Sequence, residues 1–359
     1  MSTRSTRVAG AALALGLSVS AVAACSSSSS TTSSTSGGAA AKKIALLLPE
    51  TKTARYEAFD RPMFEAAVKA GCSACTIIYN NADQDAAKQQ QQAESALTQG
   101  ANVLVLDAVD GKAAAGVMAS AKAAKVPVVA YDRFVAGSDY YVSFDNEQVG
   151  KLQGQALVDI LKKSGKTSGN IVMINGSPTD PNAGDFKKGA HSVLDTSGFK
   201  IAAEYDTPDW SNNKARDWME GQLAAVKDGL VGVYAANDGT GGGAIAALKA
   251  GGVTPLPPVT GQDAELAAIQ RILAGDQALT IYKAIKPQAE DAAKAAIALA
   301  NGTKPTAKTT KDGIPATLLT PVVVTKETVK STVVADSFYK VSDICTANFA
   351  AACTAAGLS

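Results

Sequence analysis

The sequence predicts an α/β protein built from two doubly wound parallel-sheet lobes. Two observations carry that prediction. From Lys43 onward, short β-rich runs alternate with Ala-rich amphipathic stretches, and the alternation falls into two blocks. The predicted strands also run directly into polar residues at their C-terminal ends, the edge at which open parallel sheets bind ligands.

In the first block we expect strand 44–48, helix 58–70, strand 76–80, helix 82–99 and strand 103–107. Helix 112–125, strand 127–131 and a short strand 140–144 follow, with Gly71, Gly100 and Pro127 placed where helices stop. The second block repeats the rhythm with helix 147–163, strand 170–175, helix 183–196 and strand 201–205. It continues with helix 212–227, strand 231–236, helix 242–249, strand 259–262, helix 266–274 and strand 279–282. One further helix, 288–300, and a strand-like run, 318–325, cannot form a domain alone and are expected to complete the two lobes. The chain then crosses between lobes near 140–145, 282–283 and 302–304, and several crossings make a hinge. The expected division is 43–142 plus 284–303 for the N-terminal lobe, 143–283 plus 304–326 for the C-terminal lobe, and a tail at 327–359.

Ahead of the lobes, residues 1–24 form a targeting segment. Arg4 and Arg7 make a charged n-region, and Val8 to Ala24 is an apolar run ending in small residues. Val22-Ala23-Ala24-Cys25 resembles a bacterial lipobox, which implies cleavage before Cys25 and lipidation of its thiol. Residues 25–42 then read as a Ser-rich tether holding a folded body near a membrane that it meets only through the lipid. The alternative is an ordinary signal peptide followed by an incidental cysteine. Four further cysteines sit in two close pairs, Cys72/Cys75 and Cys345/Cys353, and in an exported chain two local disulfides are expected. A redox motif at Cys72 is disfavoured because it follows a helix, whereas a thioredoxin-like motif opens one.

Composition excludes several functions. With 46% hydrophobic and 19% charged residues among 359, the chain can bury a large core. Its formal charge is +1, and losing residues 1–24, with two arginines and no acid, takes it to −1. Nucleic acid is therefore not an expected partner. The single histidine, His191, lies on a predicted helix and suits packing or surface better than catalysis. Gly241-Gly242-Gly243 is not followed by the Lys-Ser or Lys-Thr of a phosphate loop, strand 44–48 lacks a dinucleotide fingerprint, and no Cys/His set has zinc spacing. No metal or cofactor is expected. The run Gln89–Gln92 reads as the solvated side of a helix.

The strand ends favour holding a polyhydroxylated molecule over reacting with it. They are Glu50, Asn80-Asn81, Asp107, Asp132-Arg133, Asp145-Asn146, Ser177, Asp206, Asn237-Asp238 and Gln262-Asp263. Carboxylates accept from two hydroxyls at once, amides donate and accept, and guanidinium offers a planar fork.

Several of these residues sit in longer motifs. Tyr131-Asp132-Arg133, Val142-Ser143-Phe144-Asp145-Asn146, Gly176-Ser177-Pro178, Asn237-Asp238 and Gly261-Gln262-Asp263, with Tyr282-Lys283 behind them, resemble the bacterial D-xylose-binding proteins. These are type I periplasmic sugar-binding proteins that serve ABC transporters, and the resemblance covers about residues 43–324. It implies a two-lobed receptor, a monosaccharide ligand, a permease partner and a monomeric state. It also implies hydrogen-bonding roles for Arg55, Asp132, Arg133, Asn182, Asn237, Asp263 and Lys283, a stacking pair in Tyr56 and Trp210, and lesser contacts from Asp60, Asp180 and Asp238. The plainer readings are helix caps for Asp132, Asn237 and Asp238, surface ion pairs for Arg55 and Arg133, a core place for Trp210 and a solvated hinge place for Lys283. Trp218, in mid-helix, is expected to pack. Tyr56 stands where a Trp is expected, the paired cysteines are extra, and the tail is longer. The choice among xylose, glucose, arabinose and galactose stays open, as does a sensory partner. A carbohydrate-active enzyme is the remaining alternative, with no nucleophile motif to support it.

Overall fold

The computed structural model describes residues 41–358. The targeting segment, Cys25 and most of the tether lie outside them. Among the described residues no helix is long and apolar enough to cross a membrane.

The first sheet takes β1 (Lys43–Leu48), β2 (Thr76–Asn81), β3 (Val103–Leu106), β4 (Val128–Tyr131) and β5 (Tyr140–Phe144). Their connecting helices are α1 (Arg61–Gly71), α2 (Ala86–Thr98) and α3 (Ala114–Ala124), with a wide π-type turn at Tyr56–Asp60 before α1. These five strands are parallel in the order β2-β1-β3-β4-β5, so the order reverses at β1. That reversal opens the crevice in which such sheets bind ligands. β1, β3, β4 and β5 are buried on nearly their whole length, which is why they read as continuous apolar runs.

The second sheet uses α4 (Asn146–Lys163), β6 (Asn170–Asn175), α5 (Pro181–Leu194), β7 (Lys200–Asp206), α6 (Asn212–Val226), β8 (Leu230–Ala235) and α7 (Asp238–Ala250). Its strands are parallel in the order β7-β6-β8. The expected strand 259–262 is instead an extended segment joined by single bridges, Val233 to Val259 and Gln262 to Ile281. Beyond it come α8 (Leu266–Ala274), β9 (Thr280–Tyr282) and α9 (Ile285–Ala300). Helix ends follow capping chemistry: Asp85, Asp145, Asp180 and Ser211 each accept from a first-turn amide.

Four expectations about how the lobes divide are corrected. Residues 304–319 do not complete the second lobe: β10 (Thr309–Lys311) and β11 (Ile314–Leu319) extend the first sheet, β11 pairing in parallel with β5. β5 lies wholly in that sheet, so the boundary falls after Phe144 rather than after Val142. The run 318–325 is two strands, because Thr320-Pro321 interrupts it; β12 (Val322–Val324) then pairs antiparallel with β9 on the second lobe. The third crossing therefore falls at Thr320-Pro321, not at 302–304. α9 packs on the first sheet, contributing Ala289, Ala292, Ala293 and Ala296 to its core.

The tail folds into α10 (Val341–Ile344), α11 (Ala350–Ala355) and short turns. Disulfides join Cys72 to Cys75 and Cys345 to Cys353.

Candidate functional site

The C-terminal edges of the two sheets face one another across a closed cleft. Asn182 donates from Nδ2 to the Asp132 carbonyl across it at 3.0 Å. Arg133 Nε lies 3.0 Å from Asp180, and Arg55 Nη1 lies 3.7 Å from Asp263. Between the lobes is a narrow cavity of about 20 Å³, room for about one water in this closed arrangement. Ten of the twelve ligand residues expected from sequence line it: Arg55, Tyr56, Asp132, Arg133, Asp180, Asn182, Trp210, Asn237, Asp263 and Lys283.

The first lobe supplies a buried Arg–Asp lattice. Arg55 grips Asp60 with two bonds, from Nε at 2.9 Å and Nη2 at 2.8 Å, and reaches Asp132 Oδ1 from Nη1 at 3.1 Å. Gln288 of α9 accepts from Arg55 at 2.9 Å and donates to Asp132 at 3.1 Å, so it braces both. Burial pushes the Asp132 carboxyl up, but Arg55 and Lys283 outweigh it and hold the group well below the usual carboxylate range. Asp132 therefore presents an ionised acceptor. Asp60 does not reach the cavity; fully buried under Arg55 and Tyr131, it orients the guanidinium and is a supporting residue.

Arg133 is fixed on every side. It donates to the Ala108 carbonyl at 3.0 Å and the Tyr56 hydroxyl at 3.2 Å, and its Nε lies 3.5 Å from Asp107. Burial pushes the Asp180 carboxyl up, against the pull of Arg133. Asp180 also receives the Trp210 indole N–H at 3.0 Å and caps α5. Trp210 is buried, and its ring lies against Gly176: a Cβ there would come within 2.0 Å of the indole. The glycine of Gly176-Ser177-Pro178 thus makes room for the aromatic wall. Phe186 meets Trp210 edge-on at 6.3 Å and adds a second apolar surface.

On the second lobe Asn237 is both cap and site residue. Its Oδ1 accepts from Thr240 in a capping box, and the residue also lines the cavity. Lys283, at the second crossing, stands 3.1 Å from Asp263 and 4.0 Å from Asp132, so the hinge residue is buried in the cleft rather than solvated. Asp132, Trp210 and Asp263 all have positive φ, at 56°, 52° and 89°. Three non-glycine residues in that sparsely populated region at one site mark backbone strain held by its surroundings.

Asp238 is corrected. It opens α7 and lies behind the cavity, where its carboxylate accepts from Gln277 at 2.7 Å, Thr280 at 2.9 Å and the Glu265 amide at 2.9 Å. Burial pushes it up to about 7. It knits the loop before α8 to β9. The Gln89–Gln92 run is corrected as well: Gln89 is buried and holds the chain after β3, donating to the Asp107 carbonyl and accepting from the Val109 amide. Trp218 stacks on Tyr205 at 5.0 Å, and His191 pairs with Asp195 and Glu204 on the second lobe. Sequence reading missed Thr53, Phe186 and Gln262 in the lining and Gln288 behind it. Of these only Gln262 carried a signal, as the strand-end neighbour of Asp263.

Three buried oxygens at the cavity, Asn182 Oδ1, Gln262 Oε1 and Asp263 Oδ1, make no hydrogen bond within the protein. Buried acceptors of this kind call for donors from a ligand or from ordered water. Among the described residues no cluster of side chains is suited to a metal ion.

Residues 44–304 match the periplasmic binding protein domain. The chain belongs to the periplasmic binding protein family. It is 37% identical over 312 residues to a D-xylose-binding periplasmic protein of Escherichia coli, covering 84% of this chain and 92% of that one. A D-xylose-binding periplasmic protein of Haemophilus influenzae is also 37% identical, over 83% of this chain and 90% of its own. Among solved structures, a transporter solute-binding protein of Clostridium phytofermentans with bound β-D-glucose superposes with a TM-score of 0.79 at 27% identity, covering 84% of this chain and all of that one. The likeness fits the two-lobed architecture.

Proposed function

We propose that this protein is an extracytoplasmic receptor that captures a monosaccharide, D-xylose foremost, and delivers it to the permease of a sugar ABC transporter. The observation that carries this reading is the cleft itself. Asn182 Oδ1 and Gln262 Oε1, without a hydrogen bond on the second lobe, and the ionised Asp132 on the first converge with the aromatic rings of Tyr56, Trp210 and Phe186. Sugar hydroxyls supply donors to such acceptors, and ring C–H faces lie on aromatic walls.

A neutral ligand is favoured because the charges are already balanced. Arg55, Arg133 and Lys283 are each within 4.0 Å of a buried aspartate, so among the described residues the cavity lining holds no unpaired cation for an anionic substrate. The relatives named above support xylose and the solved neighbour supports a hexose. Glucose, arabinose and galactose are therefore the competitors to test.

In this reading the ligand leaves unchanged. No general acid–base pair is needed, since Asp132 and Asp263 serve as acceptors held by cations. Export and anchoring follow from the N-terminal segment, with Cys25 lipidated and the receptor working as a monomer at the outer face of the membrane. A thermal-shift panel of pentoses and hexoses tests the reading, because a ligand bound only by the folded form raises the melting temperature. D-Xylose is expected to give the largest shift and to be recovered unaltered after incubation. No shift with any neutral monosaccharide contradicts it.

A further inference from the structure

The tail after Val324 lies outside the residues that match the family domain, yet it touches both lobes. Its anchor is on the second. Val329, Val333, Ile344, Cys353 and Leu358 bury against Ile269, Ile272 and Leu273 of α8, and the Ile344 carbonyl accepts from Gln270 at 3.1 Å. The Cys345–Cys353 disulfide closes this small unit.

From that anchor Phe338 reaches the first lobe. Its ring stacks on Phe59 with centroids 4.0 Å apart and planes 20° from parallel, and it meets Tyr282 beside the hinge at 5.1 Å. Tyr339 meets Phe59 edge-on at 5.5 Å. Phe59 belongs to the π-type turn Tyr56–Asp60, the turn that carries Tyr56 and Asp60 and follows directly on Arg55. The tail thus holds, from the second lobe, the first-lobe element that supplies the cleft with a guanidinium and an aromatic wall.

We propose that the C-terminal tail is an interlobe clasp: seated on α8, it grips Phe59 through Phe338 and Tyr339, stabilises the closed state and slows ligand release. Phe59 moves with the first lobe and Phe338 with the second, so hinge opening changes their separation. Stacking is short-ranged, and a gap of 0.5–1 Å already loses a quarter to a half of the contact energy. A device of this kind biases the lobes toward closure without touching the ligand.

The test uses the full chain, with the sugar-receptor reading as the basis of one arm only. Spin labels at Ala119→Cys on α3 and Ala224→Cys on α6, in a Cys25→Ser background, report the interlobe distance in ligand-free protein. Phe338→Leu keeps apolar volume but removes the stack, and the distance distribution is expected to shift to longer values. In the second arm, stopped-flow with D-xylose is expected to show dissociation about two- to tenfold faster, the equivalent of losing one aromatic pair, with little change in association. Should Phe338→Leu melt the tail, Phe59→Leu probes the same contact from the opposite lobe. Unchanged distances and unchanged dissociation in a variant with an intact tail overturn the clasp. If wild-type protein binds neither D-xylose nor D-glucose, the receptor reading fails and the distance arm still decides the clasp.

Discussion

Asp263→Ala isolates one acceptor of the cleft. Asp263 is buried, sits 3.1 Å from Lys283 and 3.7 Å from Arg55, and offers an Oδ1 without a hydrogen bond inside the protein. With the lobes closed, its removal deprives Lys283 of its nearest counter-ion and a bound sugar of a carboxylate acceptor. Stranding a buried charged partner typically costs about 2–5 kcal/mol. At 1.4 kcal/mol per tenfold, that is a loss of roughly 30- to several-thousand-fold in affinity. Opening of the lobes in the ligand-free protein is expected to let water reach Lys283, so the melting temperature is expected to move by only a few degrees. Isothermal titration with D-xylose reads the first quantity, and a melt of the empty protein reads the second. Binding within threefold of wild type would refute the cleft assignment. A large fall in melting temperature would show instead that Asp263 is structural.

Asp238→Asn tests the correction made at α7. A carboxyl raised to about 7 contributes most where it is protonated in both states, below the unfolded value of about 4, and that contribution declines as pH rises toward 7. The variant is expected to flatten the pH dependence of the melting temperature between pH 4 and 7 while leaving D-xylose affinity within a few-fold. Gly176→Ala sets a Cβ against the Trp210 ring, and we expect displaced indole fluorescence and sugar affinity at least tenfold weaker. Cys345→Ser with Cys353→Ser opens a loop of nine residues, which the chain-entropy model values at about 2–3 kcal/mol; urea melts followed at the tail should show that loss. Cys25→Ala is expected to release the protein from the membrane fraction with its fold unchanged, and retention after salt and carbonate washing contradicts lipid anchoring.

Much of the site was legible because parallel sheets gather their C-terminal ends at one edge. Asp132 and Asn237 are found by locating the strands alone, and Asp263 by the extended run 259–262 ahead of it. What stayed hidden depends on tertiary placement. Gln288 sits 233 residues from the Arg55 it braces, and nothing on α9 distinguishes it from a solvated glutamine. Phe186 is an apolar residue on an amphipathic helix, identical in pattern to core. Asp238 follows β8 much as Asp263 follows the extended segment 259–262, but its place as the first residue of α7 points it back toward Gln277 and Thr280. Gln89 reads as polar surface until the chain after β3 is brought over it. The assignment of 304–319 failed for a topological reason: a strand pairs with whichever open sheet edge it reaches, and β5 offered one.

The central claim is that one sugar ring is held between the lobes by acceptors from both. A crystal structure of the protein with D-xylose tests it most directly. The account predicts the ring between Tyr56 and Trp210, with hydroxyls within hydrogen-bond distance of Asp132 on one lobe and of Asn237 and Asp263 on the other. A sugar bound elsewhere, or held by one lobe alone with the cleft open, contradicts it.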